Sequence, residues 1–289
     1  MNKLGKFICV LAVCILAMIG IQLLLPKNAI VLKQFMGTLF YFVPAIAVWI
    51  SEKKNVGKIF REYKVNLKSI YVKRALIYIL GTAFIYPLIY ICCIFLAGNV
   101  LGIQSFGQVM VPNEGSNLFG IILPENIVLR FSITYLSSVC FMLVAGLTYN
   151  MIFALGGELG WRGFLEKNLN IGYYKRNIVT GLIWGTWFLP VILFNYTGMK
   201  SCCYHILIQY IIFIVSSFLL NNVYQNSGSL FIPAAVQGLL ISANVVNLTI
   251  GGDALVSQFT GLSGIISLVI LTWLFKLIPQ AKADIHIAS

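Results

Sequence analysis

Two side chains of opposite charge stand four residues apart in the apolar stretch Gly156-Gly-Glu-Leu-Gly-Trp-Arg-Gly-Phe-Leu165. On a helix this spacing puts Glu158 and Arg162 on one face with the acid first, the favourable order for an ion pair. In a low-dielectric setting each charge makes the other tolerable. Read as structure, the pair is a helix-end salt bridge closing a bundle; read as chemistry, Glu158 is a buried carboxylate able to serve as a base. Two neutral amides, Gln237 and Asn244, are seven apart in Gly228-Ser-Leu-Phe-Ile-Pro-Ala-Ala-Val-Gln-Gly-Leu-Leu-Ile-Ser-Ala-Asn244 and share a face with Ile241 between them. They can exchange hydrogen bonds across helices, but neither acts as a base or holds a divalent metal well. His205 and His286 have no paired-ligand spacing with each other or with the seven Cys, so neither a metal site nor a cofactor is expected.

These residues must be positioned by membrane helices. Of 289 residues 60% are hydrophobic and 10% charged, with a mean hydropathy of +0.92. A soluble domain needs about a quarter of its residues charged, so a soluble enzyme, a nucleic-acid-binding domain and a disordered protein are excluded. Apolar runs of spanning length fall at about 5-25, 29-50, 75-97, 127-155, 179-197, 204-222, 230-250 and 258-278. The expected fold is an all-α polytopic bundle of about eight transmembrane helices. The first run is expected to be an anchor, not a cleaved signal, because it stays apolar past the usual length and lacks a small-residue cleavage site.

The formal charge is +12. With the N-terminus inside, sixteen of the 20 Lys and Arg fall at cytoplasmic ends, eight of them in the 51-74 loop. That asymmetry predicts a multi-pass cell-membrane protein with both termini cytoplasmic, and an interfacial amphipathic helix within 51-74. The segment 98-126 is expected to be an external loop capping the bundle. Gly156, Gly157, Gly160 and Gly163, and the pair Gly181 and Gly185, are expected to let neighbouring helices approach closely. Pro190 is expected to kink or end its helix.

Three segments, Gly-Glu-Leu-Gly-Trp-Arg-Gly-Phe-Leu, Gly-Leu-Ile-Trp-Gly-Thr-Trp-Phe-Leu-Pro and Ser-Gly-Ser-Leu-Phe-Ile-Pro-Ala, carry a resemblance to the CAAX-protease and bacteriocin-processing (CPBP, or Abi) family of intramembrane endopeptidases. The likeness covers roughly 150-245. It implies three regions: N-terminal helices over 1-125, a CAAX-protease-like core over 127-278 and a cytoplasmic tail over 279-289. The family motifs are Glu-Glu-x-x-x-Arg, aromatic-x-x-x-His and His-x-x-x-Asn, and this chain departs from each. Gly157 stands at the first Glu, Phe188 at the His four residues after Trp184, Gln237 at the third-motif His, and Ile241 at its Asn.

Glu158 and Arg162 keep the remaining polar positions and would be catalytic only in an active member. In a degenerate one, a cavity with Trp161, Trp184, Phe188, Gln237 and Asn244 would bind a membrane-associated peptide or protein partner within the lipid bilayer, as in bacteriocin immunity or regulation of an envelope enzyme. Losing a general base costs about 10²–10⁴ in rate and an oxyanion donor about 10²–10³, so the expectation is a catalytically impaired pseudoprotease. The rival expectation is an active endopeptidase that processes prenylated or leader-bearing peptides through Glu158. No nucleic-acid partner is expected.

Overall fold

The computed structural model describes residues 2–26, 29–66, 70–118, 120–193, 203–243 and 248–279. Asn244, Cys202 and His286 lie outside the described residues.

The chain is an all-α polytopic helix bundle, and among the described residues seven helices are long and apolar enough to cross a membrane. Helix α1 is Lys3–Leu24. Helices α2 (Ile30–Phe40) and α3 (Val43–Glu52) meet at a turn over Tyr41 and Phe42 and together supply the second span, Phe35–Glu52. Pro44 lies in the first turn of α3, where its missing N–H costs nothing. Helix α4 is the short Val56–Glu62, within the segment where an interfacial helix is expected. The spans α5 (Val72–Val100), α6 (Ile127–Asn168), α7 (Tyr173–Leu193) and α8 (Cys203–Ser227) follow. Then come the 12-residue α9 (Phe231–Ser242) and α10 (Leu262–Lys276), which completes the last span.

Two expectations are corrected by this geometry. The run 230-250 is not a full span: α9 has 12 residues, about 18 Å at 1.5 Å per residue, against a hydrocarbon core of about 30 Å. It survives as a helix because Ile232 through Leu239 are all buried among other elements. The fourth span does not end near 155, since α6 continues to Asn168. The Glu158–Arg162 pair therefore lies inside a helix instead of at its end. Leu159–Leu165 winds as a π-helix, as does Gly146–Asn150. Widened turns of this kind are rare and re-aim side chains.

Large apolar side chains cover the outside as well as the core, as a lipid-facing surface requires. Val13, Leu16, Leu24, Val128, Val144 and Trp273 are exposed on the outside, whereas Ser51, Thr82, Thr134, Ser138, Ser267 and Thr272 are buried. Each of these hydroxyls donates to the carbonyl four residues earlier in its own helix, Ser138 Oγ to Thr134 O at 2.8 Å for example. Such back-bonding satisfies a buried hydroxyl without any interhelical partner, and lipid could not supply one.

Close approach of helices is set by glycine. A Cβ on Gly181 would lie 2.5 Å from the Ile214 Cα, and one on Gly185 2.6 Å from the Tyr210 ring, so α7 packs on the α8 backbone at Gly181 and on an aromatic ring at Gly185. Gly156 and Gly160 leave room for Phe42 and Pro44, and Gly163 for Tyr63. Pro190 lies inside α7, within its last described turn.

Short antiparallel strands fasten the end opposite Lys3. Strand β1 (Gln108–Val109) pairs with β4 (Thr249–Ile250), and β2 (Asn117–Leu118) with β3 (Ile121–Ile122). Segment 98-126 is thus tied to the stretch between α9 and α10. Arg130 reaches Glu114 at 3.7 Å there.

Candidate functional site

Helix α6 presents Glu158 and Arg162 to the interior, 0% and 1% exposed. Arg162 Nη1 donates to Glu158 Oε1 at 2.8 Å, and Nη2 donates to the carbonyl of Ser216 on α8 at 3.2 Å. The guanidinium carbon stands 4.7 Å from the Trp184 ring centroid, a cation on an aromatic face shielded from water. Glu158 Oε2 and Arg162 Nε make no hydrogen bond. The pair is thus closed by one strong contact, a backbone anchor and an aromatic lid, with one carboxylate oxygen left over.

An aromatic cluster fixes that lid. Phe7 of α1 stacks on Phe164 at 4.7 Å, Trp161 stands 6.1 Å from Trp184 and 5.6 Å from Trp187, and Phe40 stacks on Trp187 at 4.8 Å. Trp184 and Phe188, four apart on α7, both contact Phe213 of α8, at 4.8 and 5.1 Å. Edge and offset contacts of this kind add about 0.5–1.5 kcal/mol each beyond their buried area.

Beyond Trp184 lies a cavity of about 210 Å³. Trp184 and Phe188 of α7 line it together with Gln237 and Ile241 of α9, so four of the residues singled out from sequence converge on one space. Glu158, Arg162, Trp161 and Gly157 do not line it; the charged pair touches it only through Trp184 and Ser216, which both belong to the wall. Gly157 faces the Trp161 indole, and a Cβ there would come within 3.1 Å of Nε1. Sequence reasoning missed the wall that α8 supplies: Gln209, Phe213, Ser216 and Leu220. The signal was present, because Gln209 and Ser216 are seven apart, the same spacing that marked Gln237 and Asn244. Tyr41, Tyr86 and Phe259 close the remaining sides.

Among the described lining residues there is no Asp, Glu, His, Lys, Arg or Cys. Gln209 is engaged, its Nε2 donating to Thr260 O at 3.2 Å. Gln237 is 7% exposed and its Oε1 has no hydrogen-bond partner. Among the described residues no three His, Cys, Asp or Glu side chains converge as metal ligands would.

A second polar cluster ties the loop after α3 to the end of α6. Glu52 accepts from Lys3 and Lys54, both at 2.9 Å, and from the Tyr63 hydroxyl at 3.0 Å. Glu62 bridges Lys167 and Lys54. Hydrogen bonds from Lys167, and then from Lys54, hold the Glu62 carboxyl down to about 2. Glu166 pairs with Arg176 at 2.7 Å and accepts from Gln225 at 3.2 Å.

Compared with known proteins, the chain matches no family model and no curated protein.

Proposed function

We propose that this multi-pass membrane protein is a degenerate relative of the CAAX-type intramembrane endopeptidases, kept for binding a membrane-associated peptide or protein partner and not for hydrolysis. One observation carries the reading: the cavity at the family's second- and third-motif positions, with Trp184, Phe188, Gln237 and Ile241 in its wall, has no carboxylate, imidazole, amine or thiol among its described lining residues. A peptidase at this place needs a group that takes a proton from water and donors for the tetrahedral oxyanion. Phe188 and Ile241 can do neither, and the Glu158 carboxylate is held by Arg162, whose guanidinium stands against the Trp184 ring. Immunity to a peptide bacteriocin and restraint of an envelope enzyme both fit such a receptor. The end carrying Lys3, the 51-66 cluster and Lys276 is the cytoplasmic end in this reading, by its basic excess.

The test is proteolysis. Purified protein incubated with prenylated and leader-bearing peptides should give no cleavage above a protein-free control. Cleavage by the wild type that Glu158→Ala abolishes would overturn the binding-only reading. A second reading, an active endopeptidase using Glu158 as base, is favoured by the free Oε2 atom. It requires Glu158→Gln to remove turnover while the protein still folds in detergent.

A further inference from the structure

The second span, Phe35–Glu52, ends in two exposed apolar side chains, Trp49 and Ile50, and Lys53 and Lys54 follow directly after it. These four residues wall one hollow of about 330 Å³. One part of the wall is thus an apolar surface of the kind acyl chains touch, with an indole where such rings gather at a membrane interface. The other part carries ammonium groups. The volume is that of about ten water molecules, room for a lipid phosphate and its glycerol but not for a folded segment of a partner.

Charge around the hollow is unbalanced. Lys54 is spent on Glu52 and Glu62, and Lys3 and Lys167 complete the pairing of those two carboxylates. Among the described residues no carboxylate pairs with Lys53, Lys58, Arg61 or Lys64, all of them exposed. Lys53 and Lys64 are also the two non-glycine residues with positive φ among the described ones, at 52° and 56°. Gly or Asn takes that backbone at lower steric cost, so the backbone does not call for lysine at either place. Between them, α4 buries Ile59 and leaves Val56 and Phe60, four apart on one face, exposed. An exposed apolar stripe beside basic side chains is the pattern of a helix lying in the headgroup layer. An acidic protein surface would match the charges and leave Trp49, Val56 and Phe60 without a role.

We infer that the hollow at the end of α3 is a seat for one anionic phospholipid, its phosphate held by Lys53 and its acyl chains along Trp49 and Ile50, with Lys58, Arg61 and Lys64 supplying attraction around it. Each Lys or Arg near an anionic lipid surface contributes about fivefold in affinity. This seat is separate from the cavity between α7, α8 and α9 and does not depend on whether the chain hydrolyses peptides.

Full-length protein in micelles of a neutral maltoside detergent tests it, titrated with palmitoyl-oleoyl phosphatidylglycerol or with the phosphatidylcholine of the same chains and read by native mass spectrometry. The expected result is saturable binding of one phosphatidylglycerol, at least about tenfold tighter than phosphatidylcholine. Lys53→Asn, which suits the left-handed backbone and removes the charge, should weaken phosphatidylglycerol about fivefold and leave phosphatidylcholine unchanged. Trp49→Ser should weaken both lipids. Arg130→Gln removes one charge at the other end of the bundle and should leave the preference intact. Equal affinity for the two lipids, an unchanged preference in Lys53→Asn, or the same loss in Arg130→Gln, which would reduce the effect to net charge, would overturn the inference. If Lys53→Asn does not yield folded protein, Lys58→Gln combined with Arg61→Gln decides: an unchanged preference overturns, a loss supports. Two soluble competitors probe the other occupants. Displacement of phosphatidylglycerol by millimolar glycerol phosphate would make the hollow a site for soluble phosphate, and displacement by a micromolar oligoglutamate peptide would make it one for an acidic protein. Either result overturns the lipid assignment, and neither compound is expected to compete.

Discussion

A carboxylate and a guanidinium shut away from water each carry a desolvation penalty of several kcal/mol, and only good geometry between them offsets it. Glu158 and Arg162 meet at 2.8 Å, and the Ser216 carbonyl and the Trp184 face add to the guanidinium's contacts, while Glu158 Oε2 and Arg162 Nε stay unbonded. Removing one partner strands the other. Glu158→Gln and Arg162→Met should each lower stability by about 3–5 kcal/mol, read as a fall in the unfolding midpoint in detergent. The double substitution should cost clearly less than the sum, because neither charge is then left alone. Additive losses, or single changes below about 0.5 kcal/mol, would show that the pair is not a closed unit. The pairing was legible from the four-residue spacing alone. The contact with Ser216 was not, because it uses a backbone oxygen 54 positions away, and no residue type announces a carbonyl whose helix partner leaves it free to accept again.

At the level of elements, glycines decide how closely helices sit, and position outweighs composition. A Cβ on Gly238 of α9 would stand 2.2 Å from the Gly146 carbonyl oxygen and 2.8 Å from the Met151 amide of α6, both backbone atoms that cannot rotate away. A Cβ on Gly20 of α1 would meet nothing within 4 Å. Gly238→Ala should therefore destabilise by about 1–3 kcal/mol through overpacking. Gly20→Ala should be neutral or mildly stabilising, since Ala is the better helix former by about 1 kcal/mol. Thermal unfolding of the two variants side by side checks this, and equal midpoints would refute the proposed contact between α9 and α6. Hydropathy read seven long helices well because lipid leaves a continuous apolar record. It misjudged α9, whose apolarity records burial inside protein, and the end of α6, where Gly156 through Gly163 lower hydropathy while Pro44, Phe42 and Tyr63 hold the helix in place. The cavity was half legible: Trp184, Phe188, Gln237 and Ile241 were found through motif positions, while Tyr41, Tyr86 and Phe259 are ordinary aromatics in sequence and meet only in the fold.

For the whole molecule, the question is which end of the bundle faces the cytoplasm. Seven described helices are of spanning length, the chain from Leu230, bonded to Lys64, to Leu248, bonded to Met110, joins the same two ends through the short α9, and side-chain contacts follow the alternation. Lys3 at the start of α1 meets Glu52 at the end of α3, Lys167 near the end of α6 meets Glu62, Gln225 near the end of α8 meets Glu166, and Lys276 at the end of α10 stands 5.9 Å from Phe218. The first and last described helices thus open and close at one end. That end also gathers Lys53, Lys58, Arg61 and Lys64, while its described carboxylates Glu52, Glu62 and Glu166 are each already paired with other basic side chains. At the other end Arg130 faces Glu114. Unneutralised Lys and Arg in short loops are retained on the cytoplasmic side, so segment 98-126 should face out. With the seven cysteines replaced, Asn113→Cys in intact cells should react with a membrane-impermeant maleimide, and Lys58→Cys should react only after permeabilisation; both positions are exposed on the protein. The reverse pattern would invert the bundle and put the 51-66 cluster outside. Labelling of both from outside would break the alternation itself, because Lys58 and Asn113 are separated by the single span α5.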